Sequence, residues 1–265
     1  MKERKDKTVT DKHYRRVLKG YFESENSGPS DQEKKLPQPP LTKSYGGENK
    51  AIKLTPPLET KLQKSDISTC IEERVSNRKW ADEELDLAQL SYLLWATQGV
   101  KSIANNGYFT KRTVPSGGSR HPFETYLAIN RVKDLSPGVY QYLPLEHAIV
   151  LLRKDGDLEE KINKACCGQI FCGKAPVNFC WSAIPYRAEW RYQNYAMKAI
   201  LLDCGHVCQN LYLACEALGL GTCAIAAYVQ DQMDEILELD GEDEFTVYLA
   251  PVGIPVFSDS ANRIS

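Results

Sequence analysis

The sequence predicts an α+β sandwich. Two observations carry this expectation: strand-like and helix-like segments both occur between about Cys70 and Pro255, and they do not alternate strictly, as a doubly wound parallel sheet would require. The 265 residues, 42% hydrophobic and 26% charged, suffice for one core without a disulfide or metal staple. A third observation divides the chain. Residues 1–66 hold 15 Lys+Arg against 10 Asp+Glu and six of the 14 prolines, whereas residues 67–265 hold 18 against 25. The first stretch has too few aliphatic residues to build a core, so it is expected to be a Pro-rich, basic N-terminal leader or an arm laid across the 67–265 body.

The first predicted core element is a helix. Asp86 followed by Gln89 has the spacing of a capping box, Leu87, Leu90, Leu93, Leu94 and Ala96 recur at helical intervals, and Gly99 supplies the stop. Thr125–Asn130, Val139–Tyr142, Ala148–Leu152 and Val177–Ile184 are short apolar or alternating runs bounded by Gly, Pro or charge, and read as strands, the second and third as a hairpin. A long helix is expected over Tyr195–Leu218, where Ile200, Leu201, Cys204, Val207, Cys208, Leu211 and Cys215 form a wide apolar stripe ended by Gly219. Thr222–Val229 is predicted as a strand, Gln232–Leu239 as a short helix and Phe245–Val252 as the last strand.

Composition excludes several function classes. A formal charge of −2 gives no field to draw the protein onto nucleic acid, and no apolar run approaches the roughly 18 residues of a membrane span. Met1–Lys7 alternates basic and acidic residues with no apolar stretch after it, so no signal peptide is expected and the chain reads as cytoplasmic. Nine cysteines without C-x-x-C spacing read as reduced thiols, and Cys204, Cys208 and Cys215 as buried small hydrophobes; no metal is assigned.

Four segments could carry chemistry. Arg74, Ser76 and Arg78 alternate ahead of the first core helix, where two guanidiniums and a hydroxyl could bind a phosphate or form a solvated basic stretch. In Arg112–Pro122, the run Pro115-Ser116-Gly117-Gly118 could let backbone approach a flat ligand and offer it N–H groups and a hydroxyl, or be an ordinary tight loop. It matches neither G-x-G-x-x-G nor the Walker loop. Leu218-Gly219-Leu220-Gly221 lies at a helix-to-strand hinge and could be a simple C-cap. Asp203, His206 and Asn210 share a face of the long helix as an acid/base or a structural hydrogen-bonding set, with no Ser or Cys nucleophile placed beside them.

Together, Arg74-x-Ser76-x-Arg78, Arg112–Pro122, Gly138–Tyr142, Leu201–Asn210, Leu218–Gly221 and Pro251–Gly253 resemble the FMN-dependent nitroreductase superfamily, and within it the SagB/ThcOx-type dehydrogenase branch. The resemblance implies a sandwich with a central, mainly antiparallel sheet flanked by helices, and a domain-entwined homodimer holding FMN at two sites between subunits. It implies that Arg74, Ser76 and Arg78 bind the FMN phosphate and ribityl chain, that Pro115, Ser116, Gly117 and Gly118 lie against the isoalloxazine ring, and that Gly219, Leu220 and Gly221 lie near its other edge. Arg263 is the candidate for a C-terminal basic residue completing the phosphate site. The implied activity is hydride transfer from NADH or NADPH through FMN to a small organic acceptor.

Azoline-forming members of the branch resemble Trp-Lys-Tyr-Gly-x-Arg ahead of the Asp-x-Gly-His helix. Here the stretch is Trp190-Arg191-Tyr192-Gln193-Asn194-Tyr195. Tyr192 is retained, but Arg191 replaces a Lys, and an always-protonated guanidinium cannot act as a general base. Peptide azoline oxidation is therefore not the expected activity, although Arg191 and Tyr192 are still expected to face the substrate. The alternatives are an azoline-type peptide dehydrogenase and a flavin-binding subunit of a peptide-maturation complex.

Overall fold

A computed structural model describes residues 16–19 and 28–256. Its centre is a seven-stranded antiparallel sheet in the order β1-β6-β5-β4-β7-β9-β8, formed by β1 (Ile52–Lys53), β4 (Phe123–Ile129), β5 (Gly138–Leu143), β6 (Ala148–Lys154), β7 (Val177–Ala183), β8 (Gly221–Thr222) and β9 (Phe245–Gly253). A separate hairpin pairs β2 (Val100–Ala104) with β3 (Phe109–Arg112).

The central strands β4 and β7 are buried along their whole length because both sheet faces are covered. Their side chains alternate between two cores. Leu127, Ile129, Phe179 and Trp181 face α3 (Leu87–Gln98) and α7 (Ala196–Leu218), while Tyr126, Ala128 and Cys180 face α4 (Leu158–Ala165) and α8 (Gln230–Leu237). This is why those strands read as continuous apolar runs. The helix expected after Asp86 forms with both arms of its capping box, and β5 and β6 make the expected hairpin, Tyr140 opposite Leu151 and Tyr142 opposite Ile149. The apolar stripe of α7 packs on α3 and the sheet, and Gly219, in the left-handed region at φ 70°, ends it. Burial pushes the Cys208 thiol up to about 12 and those of Cys204 and Cys215 higher, in keeping with inert core cysteines.

The strand expected over Thr222–Val229 is shorter. Only Gly221–Thr222 joins the ladder, followed by an isolated bridge from Ile225 to Leu249. The Ala224 N–H donates instead to Tyr212 Oη at 2.9 Å, which turns the chain out of register. The β2–β3 hairpin, α2 (Ile67–Glu73), α4, α5 (Ile170–Gly173) and α6 (Tyr186–Tyr192) had no clear sequence signal. In β2 the three central residues are all exposed, so no alternation marks it.

Residues 28–66 lie across this body as an extended strap. Gln32 N donates to Trp190 O at 2.8 Å, Trp190 Nε1 to Leu36 O at 3.2 Å, Arg112 Nη2 to Leu41 O at 3.0 Å and Leu54 N to His147 O at 3.1 Å. Beneath it, Arg187 and Glu124, exposed by only 3% and 2%, form a buried ion pair at 2.6 Å, and Lys43 N donates to the same carboxylate at 2.7 Å. No helix among the described residues is long and apolar enough to cross a membrane.

Candidate functional site

The candidate residues gather at the two ends of α7. At its C-terminal end, the backbone of Arg74 caps α2 and turns the chain into the extended segment that carries Ser76 and Arg78. That segment lies on β8: Ser76 bridges Thr222 in parallel and Asn77 N donates to Thr222 O at 2.9 Å. Gly221 lets the strands approach, since a Cβ there would meet the Asn77 side chain at 2.7 Å. Gly219, besides capping α7, lies against the Gln63 side chain.

Tyr212 organises this end. Its hydroxyl shares a 3.0 Å hydrogen bond with Ser76 Oγ, and its ring carries the Arg74 guanidinium 5.2 Å from the centroid. Among the described residues neither Arg74 nor Arg78 has a carboxylate partner. Two unneutralised guanidiniums and a hydroxyl on one short segment are a donor set suited to a phosphate. Arg263 lies outside the described residues.

The N-terminal end holds Pro115–Gly118. Asp203, on the second turn of α7, accepts from Ser116 Oγ at 2.7 Å and from Gly117 N at 3.0 Å, and Ser116 Oγ accepts from His121 N at 2.9 Å. The hydroxyl and N–H expected to face a ligand are thus turned onto protein, and hydrogen bonds within the protein set the backbone of the loop. Burial pushes the Asp203 carboxyl up, against the opposing pull of the Ser116 and Gly117 bonds. Asn210 donates to Ala96 O at 2.9 Å, so Asp203 and Asn210 both make hydrogen bonds that tie α7 to neighbouring elements.

Arg191 and Tyr192, at the end of α6, come to this loop. Gly118 sits at φ 56°, and a Cβ on it would lie 2.5 Å from Tyr192 Oη and 3.2 Å from Arg191 Nη1. The glycine is needed for that approach. Arg120 backs the loop: its Nε donates to Gly118 O at 3.1 Å, and its guanidinium lies between Tyr108 and Trp190, 5.2 and 5.4 Å from their centroids. Gln32 of the strap bonds Tyr108 Oη. His121 is buried and neutral, its ring pushed down to about 3 by burial and by Arg112.

Asp203 and Tyr212 stand roughly 13 Å apart along α7 at about 1.5 Å per residue. One chain therefore brings Arg74, Ser76 and Gly219–Gly221 together, and separately Pro115–Gly118 with Arg191 and Tyr192. None of these residues lines the 800 Å³ cavity between α6, α7 and β9 or the 370 Å³ cavity beside α3. Sequence reasoning missed Tyr212, Tyr108 and the stacking of Arg120 and Trp190. An interleaving of Arg with aromatic residues was the available signal.

An antiparallel sheet between two helical layers, with an arginine-bearing segment and a glycine loop at the ends of one long helix, defines an α+β sandwich. The sequence profile described as the nitroreductase family matches residues 71–254, and the chain belongs to that family of oxidoreductases. MJ1384 of Methanocaldococcus jannaschii, described as a nitroreductase, is 33% identical over 180 residues, 68% of this chain and 86% of that one. The trifolitoxin-processing protein TfxB of Rhizobium leguminosarum is 25% identical over 155 residues, 57% of this chain and 41% of that one. Among solved structures, a nitroreductase from Ralstonia eutropha superimposes with a TM-score of 0.65 at 26% identity, covering 84% of this chain and all of the other. A chain of the Escherichia coli microcin synthetase McbBCD complex gives 0.60 at 19% identity over 94% and 95%, a likeness of fold.

Proposed function

We propose that the protein is an FMN-dependent oxidoreductase that takes a hydride from NADH or NADPH and passes it to a small organic acceptor. The observation that carries this reading is the segment of Arg74, Ser76 and Arg78, which pairs with Thr222 next to Gly221 and whose guanidiniums have no carboxylate partner among the described residues. These residues would hold the FMN phosphate and ribityl chain, with Arg263 a further phosphate ligand. Gly219, Leu220 and Gly221 would border the ring on one side, and Pro115, Ser116, Gly117 and Gly118 on the other. FMN supplies hydride transfer at its N5.

The chain's own residues bind and orient. Asp203 fixes the Ser116–Gly117 backbone, and Arg191 and Tyr192 cover Gly118, where a substrate would meet the ring. The Arg191 guanidinium would contribute charge and hydrogen-bond donors rather than base catalysis. Because the two half-sites lie at opposite ends of α7, a second copy of the chain would complete each site, making the protein a homodimer. Exposed Met197, Leu201 and Leu202 on α7 supply an apolar face for that contact.

A second reading is a flavin-binding subunit of a peptide-maturation assembly, or an azoline-type peptide dehydrogenase; the similarity to TfxB favours it. The test is turnover by the purified protein with NAD(P)H and a panel of nitroaromatic and quinone acceptors, alongside its mass in solution. Robust turnover by an isolated dimer supports the first reading. Turnover that appears only after a partner protein is added supports the second.

A further inference from the structure

We propose that Arg191, backed by Arg120, forms an anion-recognition point beside Gly118, so that the ligand held there carries a carboxylate or phosphate. This rests on the reading of Pro115–Gly118 as the surface where substrate meets flavin. The two guanidiniums converge on one residue: Arg120 Nε donates to Gly118 O at 3.1 Å, and Arg191 Nη1 lies 3.2 Å from the position a Gly118 Cβ would take. Neither forms an ion pair with a carboxylate among the described residues.

The nearby acids are committed elsewhere. Both Asp203 oxygens receive Gly117 N, and one receives Ser116 Oγ. Glu189, two residues from Arg191, lines the 800 Å³ cavity together with Asp243, and its carboxyl is pushed up first by burial and then by the Asp243 charge. The Arg120 and Arg191 guanidiniums are thus held near each other with no carboxylate counterion among the described residues. Arg120 records the cost, its guanidinium pushed down first by burial and also by Arg191.

Structural need explains only half of the arrangement. Arg120 is exposed by 5% and wedged between Tyr108 and Trp190, so it has a packing role. Arg191 is exposed, lies against Gly118 and 5.5 Å from the centroid of the Tyr192 ring, and its fork of donors meets no acceptor among the described residues. A bound anion would accept from that fork and offset the repulsion between the two cations. With the Tyr192 ring alongside, the fitting ligand is a conjugated or aromatic compound bearing an anionic group. That anion could belong to the acceptor or to the phosphates of NAD(P)H.

The test compares the wild-type protein as isolated with Arg191→Gln and Arg191→Lys. The selectivity ratio of kcat/KM for 4-nitrobenzoate over 4-nitrobenzamide is expected to fall roughly 10- to 100-fold in Arg191→Gln, the span of a charge-assisted hydrogen bond, and to recover in part in Arg191→Lys. A rise in the KM for NAD(P)H of similar size, with the acceptor ratio unmoved, assigns the anion to the donor. Calorimetric binding of benzoate, benzamide and pyrophosphate to the same proteins gives a readout without turnover. If Arg191→Gln changes neither ratio, donor KM nor anion binding, the proposal is overturned. If anion binding depends on Arg191 but no flavin turnover exists, the proposal stands and the oxidoreductase reading falls.

Discussion

The two ends of α7 solve different problems. At the C-terminal end, Arg74 and Arg78 carry charge without a carboxylate partner among the described residues, and Ser76 and Arg74 both lean on Tyr212. At the N-terminal end, Ser116 and Gly117 spend their donors on Asp203, and the loop is set by bonds within the protein. The first end is built to gain energy from a ligand, whereas the second is built to keep its shape. An end that gains its counterion on binding should show its mutations in affinity. A loop whose Ser116 and Gly117 donors are already satisfied should show its mutations in stability and geometry.

The sharpest way to break this comparison is the double variant Arg74→Ala/Arg78→Ala. Losing two charge-assisted contacts of about 1.5–3 kcal/mol each should weaken FMN binding by roughly 10²- to 10⁴-fold while leaving the melting temperature nearly unchanged. Fluorescence titration with FMN and a thermal melt read both quantities; a large fall in melting temperature would mean that the arginines are structural.

Arg187→Ala tests the strap side of the molecule. It leaves Glu124 buried without its cation, which should cost about 3–5 kcal/mol of folding stability, read by urea unfolding.

At the satisfied end, acid provides the probe. His121 is held neutral, its folded value depressed from 6.5 to about 3, so its contribution to stability is present above pH 6.5 and is lost as pH falls toward 3. The loss amounts to a few kcal/mol at roughly 1.4 kcal/mol per unit of depression. His121→Gln should flatten the acid limb of a stability–pH curve. Asp203 acts in the opposite sense. Its carboxyl is raised above 3.8, so its favourable contribution is present at and below that pH and is lost as pH rises through the folded value; Asp203→Asn should remove that slope.

The smallest effect is expected at a point remote from both ends. Asp86→Ala removes the N-cap of α3 and should cost about 1 kcal/mol with no effect on FMN affinity.

Much of the sandwich was legible because its elements obey local rules. The capping box at Asp86, the stripe of α7 and the apolar runs of β4 and β7 each state their burial in their own spacing. The β2–β3 hairpin did not, because its exposed strand has no buried face to pattern. Composition predicts that residues 1–66 build no core of their own, but it does not say where they lie. From Gly28 onward their position depends on single hydrogen bonds to Trp190, Arg112 and His147, remote in sequence. At the candidate site, the glycines and arginines were visible. The inward turn of Ser116 was not, since it depends on Asp203 arriving from a helix 87 positions later.

The most direct test of the central claim is an anaerobic absorbance spectrum of the purified protein, reconstituted with FMN if it is isolated colourless, and titrated with NADH and then NADPH. The account predicts a flavin spectrum that bleaches with one or both donors. A protein that binds no FMN on reconstitution, or binds it without reduction by either donor, would contradict it.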